Sequence, residues 1–166
     1  MKTLVAYFSQ TGNTKRVAEA IYEEIPDEKE IKALGEFEDL EGYDLIFYGF
    51  PIQGMKPAKD AAEFLEAKGA GKKIVLFITH GAPEEAERVK PWLDECRDLI
   101  SEVGAQLLGL FDCQGEVSQN IVDFLLSSDN PEYQRYGQET SEAKGQPDKT
   151  RLERARNFAN EIVANL

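Results

Sequence analysis

Histidine and tryptophan each occur once among the 166 residues, and cysteine and methionine twice each. The two cysteines, Cys96 and Cys113, stand in no CxxC or zinc-ligand spacing, so a disulfide framework and a cysteine metal site are not expected. Cys96 falls on the apolar face of a helical pattern and reads as core. No apolar run approaches the ~20 residues of a membrane-spanning helix. The first residues form a strand-like segment with one lysine, which argues against a signal peptide. Positive charge is also short: 19 Lys and Arg stand against 31 Asp and Glu, a formal net charge of −12. That balance repels nucleic acid and anionic membranes at long range and attracts a basic docking face. The expectation is a cytoplasmic protein with no metal, and with protein or small-molecule partners.

What is present is one domain's worth of alternating strands and helices. A chain of this length buries about 70% of its unfolded surface, enough for a core. Strand patterns lie at 2–8, 29–34, 44–49, 73–79 and 105–113. The run at 44–49 is continuously apolar, as a parallel strand buried on both faces requires, whereas 29–34 is charged and suits a sheet edge. Helix patterns lie at 13–25, 57–67 (with Pro57 in the first turn), 83–103 and 149–165. In the third of these, Val89, Leu93, Cys96, Ile100 and Val103 form one stripe. Five strands joined by crossover helices imply a parallel sheet covered on both sides, an α/β three-layer α-β-α domain spanning 1–166. A segment at about 114–148 interrupts the rhythm. It holds a short helix near 118–127, with Ile121, Val122, Phe124, Leu125 and Leu126, and then a polar stretch with Tyr133 and Tyr136; because it leaves a strand's carboxyl end it is expected on the ligand face, as a lid, a partner-docking element or a disordered surface loop.

The residues after the first strand carry the chemistry. Ser9, Gln10, Thr11, Gly12, Asn13 and Thr14 form a hydroxyl- and amide-rich loop that leads straight into a helix. Such a loop aims backbone N–H groups, a helix N-terminus and hydroxyls at an anion. The P-loop pattern is absent, as are the GxGxxG dinucleotide pattern, a phosphatase cysteine and a response-regulator acid pocket. The segment resembles the FMN-phosphate loop of the flavodoxin family.

That resemblance implies a doubly wound five-stranded sheet in the order 2-1-3-4-5, with the ligand beyond the carboxyl ends of the strands. It implies FMN as cofactor, its phosphate on residues 9–14. The ring then lies between Pro51, Ile52, Gln53, Gly54 and Met55 after the third strand and Thr79, His80, Gly81 and Ala82 after the fourth. The Gln53–Gly54 peptide is the candidate to hydrogen-bond flavin N5. The sequence departs from the family in lacking a Trp or Tyr in either ring loop; Trp92 lies in the following helix, and Tyr133 or Tyr136 is a candidate replacement. His80 is a candidate catalytic residue, because histidine exchanges protons near neutrality. The function implied is electron transfer between redox proteins, one of them with a basic docking face. The alternative is an FMN-dependent NAD(P)H reductase or the flavin subunit of a partner oxidoreductase.

Overall fold

The computed structural model describes residues 1–26 and 28–166. The apolar runs become the parallel strands β1 (Thr3–Tyr7), β2 (Lys29–Ala33), β3 (Leu45–Gln53), β5 (Lys73–His80) and β6 (Gln106–Gln114). A short strand, β4 (Lys56–Pro57), pairs antiparallel with the end of β3. The sheet order is β2-β1-β3-β5-β6, with β4 attached to β3 alone. Counted over the parallel strands, this is the anticipated 2-1-3-4-5 arrangement.

Four helices sheathe the sheet: α1 (Asn13–Glu24), α2 (Lys59–Lys68), α3 (Val89–Glu102) and α6 (Lys149–Ala164). Strand side chains alternate between two cores. Along β5, Ile74, Leu76 and Ile78 meet Tyr48, Leu65, Cys96 and Ile100 on the α2–α3 side. Val75 and Phe77 meet Val17, Ile21, Ala155 and Ala159 on the α1–α6 side. Each fully buried Leu, Ile, Val or Phe contributes about 1.5–3 kcal/mol of transfer free energy. Gly49 on β3 pairs with Phe77 on β5, and a Cβ at Gly49 would stand 1.9 Å from the Phe77 ring. The centre of the sheet is thus packed to the limit of what a side chain allows. Both cysteines are buried and unpaired, and burial pushes each thiol up to about 12.

Three expected boundaries move. The helix expected at 83–103 begins at Val89, which places Pro91 in its first turn; earlier, proline would remove an interior hydrogen bond. Pro57 lies in β4 rather than in the first turn of α2. The reason is a tight hairpin: Gln53 pairs with Lys56, and Gly54 and Met55 between them have φ of 58° and 64°. Two positive φ values in a two-residue loop match the twist of the flanking strands. Residues 51–53 therefore belong to a strand and not to a loop.

The third change concerns the segment after β6. It forms α4 (Gln119–Leu126), as expected near 118–127, and a second helix, α5 (Pro131–Ser141), where only a polar stretch was expected. Asn130 caps α5 by accepting from the Glu132 N–H at 2.9 Å, and Pro131 opens it. The two helices pack on each other, and a Cβ at Gly137 would stand 2.9 Å from Leu126.

Glu84, in the turn after β5, ties the two sides of the domain. It accepts from Arg151 Nε and Nη2 of α6 at 2.7 and 2.8 Å, and from the Gln114 N–H at 3.3 Å. Burial opposes its ionisation, but the Arg151 guanidinium and the backbone donors outweigh burial and hold the carboxyl down at about 2. The folded value lies below the unfolded one, so this contribution is whole above about pH 4.5 and is lost as pH falls towards 2. Urea unfolding from pH 7 to pH 3 should show Glu84→Gln less stable at neutrality by on the order of 2 kcal/mol, with a flatter acid limb than the wild type. Parallel acid limbs in the two proteins would remove this role from the pair.

Candidate functional site

The parallel register brings the carboxyl ends of β1, β3 and β5 side by side, and the last residues of β3 and β5 with the turns after β1 and β5 close around one crevice. Its volume is about 200 Å³. Small-molecule sites usually enclose about 300–1,000 Å³, so a ligand here keeps an edge in solvent.

The floor is the loop after β1. Gly12 takes a left-handed conformation, φ 94°, and opens α1 with no side-chain cap and no acidic residue in the first turn. By contrast, α5 and α6 are capped by Asn130 and Asp148. The N–H groups at the start of α1 therefore face the crevice with the positive end of the helix dipole behind them. Ser9 Oγ accepts from the Gly12 N–H at 3.1 Å, which leaves its own hydrogen to donate outward. Thr14 and Thr79 are buried, and their hydroxyls lie 2.8 Å apart, locking the cradle to the end of β5. One of the two donates to the other, and the acceptor's hydrogen remains for a ligand. No Lys or Arg lines the crevice. The floor is thus an uncharged loop rich in hydrogen-bond donors.

The wall from β3 carries Pro51, Ile52 and Gln53, and Gln53 Nε2 donates to Gln10 Oε1 at 2.7 Å, joining the first two loops. Gly54 and Met55 project beyond the crevice at the hairpin tip, where Met55 is 65% exposed. Thr79 and His80, expected in a loop, are the last residues of β5, and with Gly81 after them they line the crevice, while Ala82 is buried away from it. The His80 imidazole does not reach the crevice. Its side chain is fully buried on the α3 face, with Nδ1 2.9 Å from the Ala82 carbonyl, Nε2 2.8 Å from Asp112 Oδ2, and the ring beside Trp92. His80 is thus a packing and hydrogen-bonding residue, and the structure does not present it to a substrate.

The other wall comes from the segment after β6, which was expected on the ligand face as a lid, a docking element or a surface loop, without named site residues. Gly115, Glu116, Val117, Ser118 and Ile121, from the segment after β6, line the crevice. This segment is tied down at several points. The Gly115 N–H donates to the His80 carbonyl at 2.8 Å, and Asn13 Nδ2 donates to the Glu116 carbonyl at 2.9 Å. Gln114 Nε2 donates to the Gly81 carbonyl at 2.9 Å. Val117 sits so close to Gly81 that a Cβ there would stand 2.4 Å from it. Tyr133 and Tyr136 are elsewhere: the Arg88 guanidinium lies 4.1 Å from the Tyr136 ring centre, and Tyr133 stands beside Tyr136 on α5. Neither replaces a stacking aromatic. Two signals pointed to this wall: the segment leaves from a strand's carboxyl end, on the ligand face, and the apolar content of 117–126 demanded a packing partner without naming it. Among the described residues no cluster of three or more His, Cys, Asp or Glu is placed to hold a metal, and no helix is long and apolar enough to cross a membrane.

These features define a doubly wound α/β domain with a donor-rich crevice at its topological switch point. Comparison with known proteins agrees. A flavodoxin domain model matches residues 4–160. The flavodoxin-like domain-containing protein BilS of Clostridioides difficile is 33% identical over 172 residues, covering 98% of this chain and 97% of that protein. Among solved structures, a flavodoxin from the domain Archaea superposes with a TM-score of 0.64 at 17% identity, covering 99% of this chain and 98% of that one. A flavoprotein from Lactobacillus acidophilus, solved in complex with FMN, superposes with a TM-score of 0.51 at 21% identity, covering 67% and 92%. The chain belongs to the flavodoxin family.

The Thr14–Thr79 pair gives a direct check on the cradle. Thr14→Val or Thr79→Val alone leaves one buried hydroxyl unpaired and should cost about 1–3 kcal/mol of stability. The double substitution should cost less than the sum of the two, a coupling visible in a denaturant double-mutant cycle. Strict additivity would show that the two hydroxyls do not hold the loop.

Proposed function

We propose that this protein binds FMN in the crevice and passes electrons between redox partner proteins. The observation that carries the reading is the crevice's chemical poverty. The one ionisable side chain presented to it is Glu116, whose carboxylate already accepts from the Gly145 N–H at 3.0 Å, and the His80 imidazole is turned away. Among the described residues the crevice therefore offers a substrate hydroxyl and amide donors but no free ionisable general acid. It binds, orients and shields, and FMN supplies the one- and two-electron redox chemistry when bound.

FMN fits the residues present. The cradle takes one phosphate, and the apolar side chains of Ile52, Val117 and Ile121 suit a planar ring. The Lactobacillus flavoprotein, described in complex with FMN, supports the same cofactor here. The partner is a protein with a basic docking face. At the same end of the sheet, Met55, Ile121 and Phe124 are exposed, and residues 115–148 carry seven carboxylates against two cations. Two free, buried thiols support a cytoplasmic location.

A second reading, an FMN-dependent NAD(P)H reductase or the flavin subunit of a partner oxidoreductase, draws on one observation. No Phe, Tyr or Trp covers the crevice, so the ring stands open to a second reactant. The two separate in one assay. The FMN-loaded protein should be reduced by a basic flavoprotein reductase at a rate that falls tenfold or more as ionic strength rises through about 0.1 M, and only slowly by NADH or NADPH alone. Salt-independent turnover with NAD(P)H and no partner would select the reductase.

A further inference from the structure

The residues after β6 enter the crevice from the side opposite β3, because β5 stands between those two strands in the sheet. On the β3 side the crevice has one sizeable apolar side chain besides Pro51, namely Ile52. On the far side it has Val117 and Ile121, and no Phe, Tyr or Trp lies on either. Ile121 is 52% exposed although it belongs to α4, whose next residue, Val122, is buried against the domain. A large apolar side chain left open at the rim of a polar cradle is surface that a planar ring would cover. The far wall is also built to stay in place. Gly81 has no Cβ where Val117 approaches, Asn13 of the phosphate cradle donates to the Glu116 carbonyl, and a Cβ at Gly115 would stand 2.6 Å from the Asn13 side chain. Phosphate loop and far wall are thus one hydrogen-bonded unit.

We propose that the segment from Gly115 to Ile121 is the second wall of the ring site, so that the isoalloxazine is held between aliphatic faces, Ile52 on one side and Val117 with Ile121 on the other. The inference rests on the FMN reading above and extends it: the insertion is part of the cofactor site. It replaces the aromatic sandwich by contacts that have area but no π-stacking and no electron-donating ring.

The difference has an optical signature. A Tyr or Trp in contact with a flavin quenches its excited state by electron transfer, and an aliphatic side chain does not. FMN bound to the wild-type protein should therefore stay fluorescent. Ile121→Ala should weaken FMN binding by about tenfold, through lost apolar contact, and leave the emission of the bound fraction unchanged. Ile121→Trp should keep FMN bound and darken it. Because Ile121 is half exposed, circular dichroism melting should show both variants folded. Bound FMN that is already dark in the wild type would overturn the proposal. So would an unchanged dissociation constant in Ile121→Ala together with undiminished emission in Ile121→Trp. Absorbance after desalting separates this failure from the larger one: FMN retained under those results overturns the aliphatic wall alone, and no FMN retained overturns the cofactor reading with it.

Discussion

The uncapped start of α1 is the demand to which the site answers. Gly12 turns the chain with a left-handed φ, and no side chain of the first turn's neighbours satisfies the N–H groups beyond it. A helix end in that state favours an anion by dipole and by donor count together. The other parts of the site are arranged to hold this end still. Thr79 locks it to β5, Gln53 joins Gln10 above it, and Asn13 reaches the segment after β6. Three separate stretches of chain thus converge on residues 9–14, and the sheet register is what lets them.

Much of this was legible in the sequence because the signals were local. The continuous apolar runs gave β3 and β5, and the polar loop after β1 gave the floor of the crevice, which Ser9, Gln10, Thr11, Asn13 and Thr14 line. The strand order came with the family resemblance, since periodicity alone does not fix which strands pair. What stayed hidden depends on geometry that a linear pattern does not carry. The Gly54–Met55 turn needs a positive φ at a methionine, a residue that carries no turn signal, so Pro51 to Gln53 looked like loop. The helix α5 is polar on most of its surface, and its Asn-Pro-Glu cap was outweighed by the Ser, Gln, Glu and Gly around it. His80 looked available because it follows a strand. Side-chain alternation along β5 instead sends its ring to the face opposite Thr79, where Asp112 and the Ala82 carbonyl hold it.

The insertion changes how the site is understood. The two helices after β6 are not an ornament on the surface: the residues leading into them form a wall of the crevice and contact both the loop after β1 and the turn after β5. Their outer surface is acidic, with Phe124 exposed among carboxylates. A partner that approaches the exposed edge of the cofactor meets this surface and the Met55 hairpin tip together. In the proposed reading, the element that walls the ring also presents the acidic surface to a partner, so the two roles are joined through a few side chains rather than across the domain.

The central claim is that the crevice holds FMN for electron transfer, and the most direct test is spectroscopic. The purified protein is mixed with FMN, desalted, and then reduced stepwise without oxygen while its absorbance is followed. Flavin bands should survive desalting, and a long-wavelength band of the one-electron-reduced form should appear on the way to full reduction. A protein that emerges from the column without flavin would contradict the account at its foundation.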